Sequence, residues 1–564
     1  MPDTVLAFNL LAILILALIG GLIAKKIRQP LILGYVLSGI LLGGLIIRTA
    51  QGQQAIGSLA EIGVALLMFS IGVEFSFSRL SKVRNIAFWG ALIQILLTIL
   101  FGVVVFPKFG FDFYTSLFLG SCFSLSSTAI VTKILAEKGE LDTLPGEIMI
   151  GWLLVQDLAV LPMVLILPQI FALGSLGLSN ILLTIGKIIF LLGLCLVLGR
   201  ALIPRLMDKV AAVNSREILI LTVVTLCLLS AFGTSVLGLS FALGAFLAGI
   251  LISESAQNHA VFSEIRPLRD VFSIVFFVSL GLMLTPSFFL ANLRLILGLA
   301  LMIISVKFVI CLIVSLFLGY HFKVSFLVAA GLVQIGEFSF VLGRLGLGQN
   351  LISTETYSLI ISVALVTITL TPFIFNWAPK IYRYLIKSRF RPYLLKNDCG
   401  SLGDQLQLEN HIVICGYGRV GGWLGRALML CQIPFVVVDY NHEVVKDLRN
   451  KGVPVVYGDP VDIEVLNYAR VDRARVVVIA IPDQHTQEMV VVNALGLNPK
   501  IKIVCRTHHQ ENRNRLKALG VQTIIQPEFE ASLSIIHRIV QDMGYTSEEV
   551  SGKIKRIRLE YSSE

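Results

Sequence analysis

Asp157 stands near the middle of an apolar stretch over roughly 145–168, and Lys307 near the middle of another over roughly 295–319. Each is nearly alone as a charge in its stretch. Holding a charge in hydrocarbon costs a few kcal/mol or more, and such residues mark ion or proton pathways. A carboxylate there can ligate a monovalent cation or take up a proton, but it does not hold both well. That competition is the simplest physical route to exchanging one for the other. Burial raises a carboxyl pKa and a nearby cation lowers it, so a working value near neutrality is within reach. Gln156 precedes Asp157 and is uncharged, so the pair offers one negative charge. One charge favours an electroneutral, one-for-one exchange. Lys307 has three readings: it pairs with Asp157 when no cation is bound, it neutralises a helix end at a broken span, or it is a structural counter-charge.

Two stretches are interrupted by polar residues. One carries Leu125-Ser126-Ser127-Thr128-Ala129, the other Gln334-Ile335-Gly336-Glu337-Phe338. Breaks at corresponding places in two halves of a chain point to discontinuous helices whose freed backbone groups face a substrate at mid-depth. On that reading Ser126, Ser127, Thr128 and Glu337 belong to the site of Gln156, Asp157 and Lys307. The plainer alternatives are hydroxyls that bridge helices and a glutamate that stabilises the fold.

A second chemistry lies in Gly416-Tyr417-Gly418-Arg419-Val420-Gly421. It follows a predicted strand and opens a predicted helix, and Asp439 ends the next strand 23 residues on from Gly416. The glycines allow a tight turn and close backbone approach, the helix N-terminus attracts phosphate, and Asp439 can accept from ribose hydroxyls. Arg419 is a candidate phosphate contact. Asp459, after Gly458, ends the third predicted strand on the same edge, as either a ligand or a turn residue.

The elements that must position these residues fall into two classes. The chain has 564 residues, 56% of them hydrophobic and 15% charged. The apolar excess fills residues 1–378. Cutting it into runs of bilayer length gives about thirteen spans: 4–24, 30–47, 55–75, 86–106, 113–136, 145–168, 181–203, 217–234, 236–253, 270–285, 295–319, 324–346 and 355–378. The first run lacks a basic leader and a cleavage site, so it reads as a span and not a signal peptide. The net charge of +10 would suit nucleic acid, but the basic residues sit in short loops. With the N-terminus outside, the inner loops carry Lys25, Lys26 and Arg28, then Arg79, Lys82 and Arg84, then Arg205, Lys209 and Arg216, then Arg266 and Arg269, then Lys323, and finally Lys380, Arg383, Lys387, Arg389 and Arg391, whereas the outer loops offer little beyond Arg48, Lys108 and Arg294. That asymmetry predicts an odd number of spans and a cytoplasmic C-terminus. Eight cysteines form no CxxC pair and read as small buried hydrophobes.

Residues 379–410 read as a basic linker. From 411 to 545, strands are predicted at Ile412–Cys415, Phe435–Asp439, Val453–Tyr457, Val476–Ala480, Ile501–Cys505 and Thr523–Ile525, with helices between them. This is the alternation of a doubly wound parallel sheet. Residues 546–564 read as a tail. No redox substrate domain follows the sheet, so nucleotide sensing is expected of it and enzymatic hydride transfer is not.

Taken together, these residues resemble the Kef-type cation:proton antiporters, over nearly the whole chain. The matching segments are Leu125 through Ile130, Gln156-Asp157, Lys307, Gly336-Glu337-Phe338, Phe276 through Gly281, and Gly416 through Gly421 with Asp439 and Gly458-Asp459. The resemblance implies a helical membrane domain with inverted repeats and two crossing broken helices. It also implies a C-terminal Rossmann-like regulator similar to those of potassium channels and Trk transporters, binding an adenine nucleotide (AMP, NAD(H) or ATP). It implies a homodimer in the bacterial cytoplasmic membrane. Members with the Gln-Asp form are associated with K+/H+ exchange, and some are gated by glutathione, for which no pocket is matched here. Glu264, in the expected inner loop Ser263–Pro267, is the implied gating contact. The competing readings are Na+/H+ exchange and a nucleotide-gated potassium channel. The channel lacks its signature filter sequence here.

Overall fold

A computed structural model describes residues 2–27, 29–45, 61–70, 72–73, 85–141, 143–173, 203–213, 215–236, 241–253, 255, 257–284, 286–387, 408–507, 510–543 and 545–563. The candidate span 181–203, but for its last residue, Cys195, Cys399 and the loop residues Arg28, Arg48, Arg79, Lys82, Arg84, Arg389 and Arg391 lie outside them. The chain forms two compact units. The first comprises Met1–Ile134, Glu147–Leu318 and Ser325–Tyr384. The second comprises Leu385–Glu564 together with the short segments Leu135–Gly146 and Gly319–Val324.

The first unit is helical. Its site-bearing helices are α1 (Asn85–Val105), α2 (Phe113–Ser124), α3 (Thr128–Lys138), α4 (Leu144–Leu173), α5 (Leu293–Phe317), α6 (Phe322–Gly331), α7 (Phe338–Gly348) and α8 (Thr354–Lys387). Among the described residues, six helical stretches are long and apolar enough to cross a membrane, and five shorter apolar helices accompany them. The span predicted at 113–136 is α2 and α3, broken over residues 125–127, and the one at 324–346 is α6 and α7, broken over 332–337. Their core packs Phe118, Phe123, Leu125, Ile335, Phe338 and Ile368 into one buried cluster.

One expectation changes. Ser263–Pro267 is not a loop but lies inside a 26-residue helix, Asn258–Met283, which runs on through the span predicted at 270–285. Pro267 is tolerated there, but a sequence reading takes proline and charge together as a loop.

The C-terminal domain is a six-stranded sheet of β1 (Ile412–Cys415), β2 (Phe435–Asp439), β3 (Val455–Tyr457), β4 (Val476–Ile479), β5 (Lys502–Arg506) and β6 (Thr523–Ile525). All strands are parallel, in the order β3-β2-β1-β4-β5-β6. Central strands buried on both faces need unbroken apolar runs, which Ile412–Cys415 and Phe435–Val438 supply. The order reverses between β1 and β4, and in such sheets ligands bind at that point, beyond the carboxyl ends of the strands. Helix α9 (Arg419–Leu430) follows β1 there. The tail predicted over 546–564 is a helix, Ser547–Ser563.

Candidate functional site

The two breaks rest on each other. Gly336 N–H donates to Leu125 O at 3.0 Å, and Ser126 Oγ donates to Leu332 O at 2.9 Å. Gly336 must be glycine, because a Cβ there would stand 2.5 Å from Ser126 O and backbone cannot step aside. Opening a helix in an apolar core strands backbone groups that water does not reach, so side chains must satisfy them. Ser126 N–H donates to Gln156 Oε1 at 2.7 Å, and Ile335 N–H to Thr367 Oγ1 at 3.2 Å. Gln94 Nε2 donates to Ser124 O at 3.1 Å, and Ser339 Oγ donates to Cys122 O.

Lys307 is fully buried and gives its three protons to Gln334 O at 2.7 Å, Ser126 Oγ at 2.9 Å and Leu125 O at 3.0 Å. Those carbonyls sit just past the C-termini of α2 and α6, where two helix dipoles present their negative ends. Of the three roles open to Lys307, this geometry is that of the helix-end neutraliser. The opposite ends, the N-termini of α3 and α7, meet carboxylates. Thr128, the first residue of α3, donates from Oγ1 to Asp157 Oδ2 at 2.8 Å. Glu337 occupies the N-cap position of α7, with the Ser127 hydroxyl in hydrogen-bonding reach of its carboxyl. Asp157, Thr128 and Glu337 are half-buried, whereas Gln156, Ser126, Ser127 and Lys307 are buried. The crossing thus sorts charge: a cation against two negative helix ends, and two carboxylates against two positive ones.

Gln156 is engaged at both ends. Its Oε1 holds Ser126 N–H, and its Nε2 donates to Gln94 Oε1 at 2.7 Å. It braces the break, and its oxygen faces the backbone. Glu264, the gating candidate, lies against the Nε of Arg216 at 2.5 Å.

On the sheet, Gly416 has a φ of +91°, the left-handed region where a side chain is strained, and a Cβ on Gly421 would stand 2.1 Å from Gly416 O. Gly418 caps α9 in extended backbone, and Gly418 and Arg419 are exposed. Asp439 accepts from Tyr417 N–H at 2.6 Å and Asn441 N–H at 2.7 Å, one on each oxygen. A carboxylate has about four acceptor positions, which leaves capacity for ribose hydroxyls. Burial lifts the Asp439 carboxyl above its ordinary range, against the pull of those bonds. Asp459 accepts from Val461 N–H at 3.1 Å and lies 2.9 Å from the Lys323 ammonium. Burial pushes its carboxyl up, but Lys323, the Val461 N–H and His321 together hold it below the usual range.

Comparison with known sequences decides the class. Residues 13–378 match the family described as sodium/hydrogen exchanger, transmembrane, and residues 412–527 match the TrkA-N domain. The chain belongs to the sodium/hydrogen exchanger family. The exchanger is similar to YbaL of Escherichia coli (strain K12), described as a cation/proton antiporter, at 33% identity over 93% of this chain and 95% of that protein. It is similar to KefB of Alkalimonas amylolytica, described as a K+ efflux antiporter, at 28% identity over 95% of this chain and 81% of that one. A solved structure described as Shewanella denitrificans Kef CTD in AMP bound form matches at 23% identity. It covers 27% of this chain and 94% of that chain, with a TM-score of 0.25.

In the exchanger, two residues of the crossing escape a reading of the sequence. Gln94 is a lone glutamine in an apolar run, and Thr367 is one of several threonines in α8. The signal was weak in each case: one uncharged polar residue at mid-helix.

Proposed function

We propose that this multi-pass cation/proton antiporter moves K+ in exchange for H+, with Asp157 as the group both ions share. An adenine nucleotide on the C-terminal domain sets the activity. The observation that carries the transport reading is the sorting of charge at the crossing. Lys307 commits its protons to two carbonyls and the Ser126 hydroxyl at the two breaks, while Asp157 stands half-buried at the start of α3 beside Thr128. A dehydrated monovalent cation needs oxygens and a negative charge, and Asp157, Thr128 and Glu337 offer both. Gln156 and Ser126 hold the crossing in register around them. Potassium is favoured over sodium by the resemblance of the Gln156-Asp157 form and by relatives described as K+ efflux antiporters.

The regulatory reading rests on the glycine turn at Gly416, the N-terminus of α9 with exposed Gly418 and Arg419 and buried Gly421, and Asp439 at the switch-point edge. A ligand shifts a transporter only by its differential affinity for two states. Asp439→Ala therefore weakens nucleotide binding and changes flux in one preparation. The exchanger is further read as a homodimer in the inner membrane, N-terminus outside and C-terminus cytoplasmic, with Glu264 as a gating contact; the basic residues between the apolar runs support the orientation.

Proton flux driven by K+ or Na+ gradients in proteoliposomes tests the transport reading. The proposal expects K+ to drive dye-reported proton movement. Flux with Na+ alone assigns the other cation.

A further inference from the structure

The turn between α5 and α6 sets a ring and a cation on the nucleotide edge of the sheet. Residues Gly319–Val324 belong to the same compact unit as the C-terminal domain. The His321 imidazole lies 6.5 Å from the Tyr440 ring, with the planes at 33°, and 6.2 Å from the Tyr457 ring, at 75°. Lys323 N–H donates to His321 Nδ1 at 3.2 Å, which fixes that nitrogen as an acceptor. Burial lowers the His321 pKa, so the ring is neutral as well as flat. Lys323 Nζ lies 2.9 Å from Asp459 Oδ2, donates to Thr486 Oγ1 at 3.2 Å, and sits 5.8 Å from the centre of the Tyr440 ring.

The positions of these acceptors matter. Tyr440 directly follows Asp439, and Tyr457-Gly458-Asp459 ends the neighbouring strand. A nucleotide whose ribose rests on Asp439 would bring its base to these residues. An adenine offers a flat neutral ring for the tyrosines and an exocyclic amino N–H for the carboxylate. His321 offers the ring and Lys323 the N–H.

We propose that His321 and Lys323 are a built-in stand-in for adenine, occupying the base subsite formed by Tyr440, Tyr457 and Asp459. An adenine nucleotide then binds by displacing them. The idea rests on the nucleotide reading above and adds to it the residues that close the site. It predicts a specific penalty: apparent affinity is the intrinsic affinity reduced by the fraction of molecules in which the segment is displaced.

Calorimetry on the full-length chain in detergent, with AMP, ATP and NAD as probes, tests it. His321→Ala and Lys323→Met should each tighten binding of the best probe, by about tenfold if the segment is displaced in a tenth of wild-type molecules. His321→Phe keeps a ring and should stay close to wild type, which separates stacking from general loosening of the turn. Wild-type binding that is unchanged or weaker in His321→Ala and Lys323→Met overturns the proposal; weaker binding would make the segment part of the ligand's own contacts. Absence of binding in the wild type and in every variant removes the nucleotide reading, and the stand-in with it.

Discussion

Asp157 and Lys307 are both lone charges in apolar helices, yet the structure gives them opposite surroundings. Lys307 is enclosed by acceptors, and Asp157 keeps a half-buried carboxylate beside Thr128. If proton and cation compete there, acidification raises the half-saturating cation concentration while the maximal rate changes less. Saturation curves over a pH series check this, and overlapping curves point to separate sites. Gln156 gives a second prediction. Because Gln94 holds its amide, Gln94→Leu and Gln156→Leu should damage cation half-saturation in the same way, and the double variant should be little worse than either. A double-mutant cycle measures that coupling, and additive losses contradict the brace. The charges were legible in the sequence because charge at mid-span is rare. Gln94 was not, because one glutamine in a span carries no signal until its partner is known.

At the scale of elements, the breaks were legible from hydroxyls and glycine in otherwise apolar runs. What they rest on was not, since Ser126 and Leu332 meet across 206 residues of sequence. The same distance hides why Gly336 is glycine. Gly336→Ala should lower thermal stability by about 1–3 kcal/mol, the range for overpacking a tight contact, and should slow exchange. A melting curve unchanged from wild type argues against the close approach. Lys307→Met leaves Leu125 O with its bond from Gly336 N–H but strips Gln334 O, a loss of about 1–3 kcal/mol for one unsatisfied buried group. Helix Asn258–Met283 shows the opposite failure: Arg266, Pro267 and Arg269 looked like a loop, and a helix carries them. In the C-terminal domain, β-branched runs and the glycine turn marked the strands to within two residues, because central parallel strands leave few alternatives.

Across the whole molecule, composition separates a helical membrane domain from an α/β domain, and both are found. The contents of the second unit were not legible, since Leu135–Gly146 and Gly319–Val324 come from the apolar part of the chain. Glu140 in that unit supplies a pH prediction. Burial, with a smaller push from Asp483, lifts its carboxyl from 4.5 to about 7, against Lys138 and Lys323. The folded state therefore holds more protons than the unfolded state between those values, and this contribution to stability declines as pH rises from about 4.5 through about 7. Glu140→Gln should flatten that part of the stability profile in a thermal-shift series, and an unaltered slope assigns the dependence elsewhere. The most direct test of the account is K+-driven proton flux in proteoliposomes holding wild-type protein or Asp157→Asn at matched insertion. The account predicts that the variant inserts, folds and melts as a membrane protein but carries no coupled flux above empty vesicles. Wild-type flux in the folded variant contradicts the assignment of Asp157 as the shared cation and proton site.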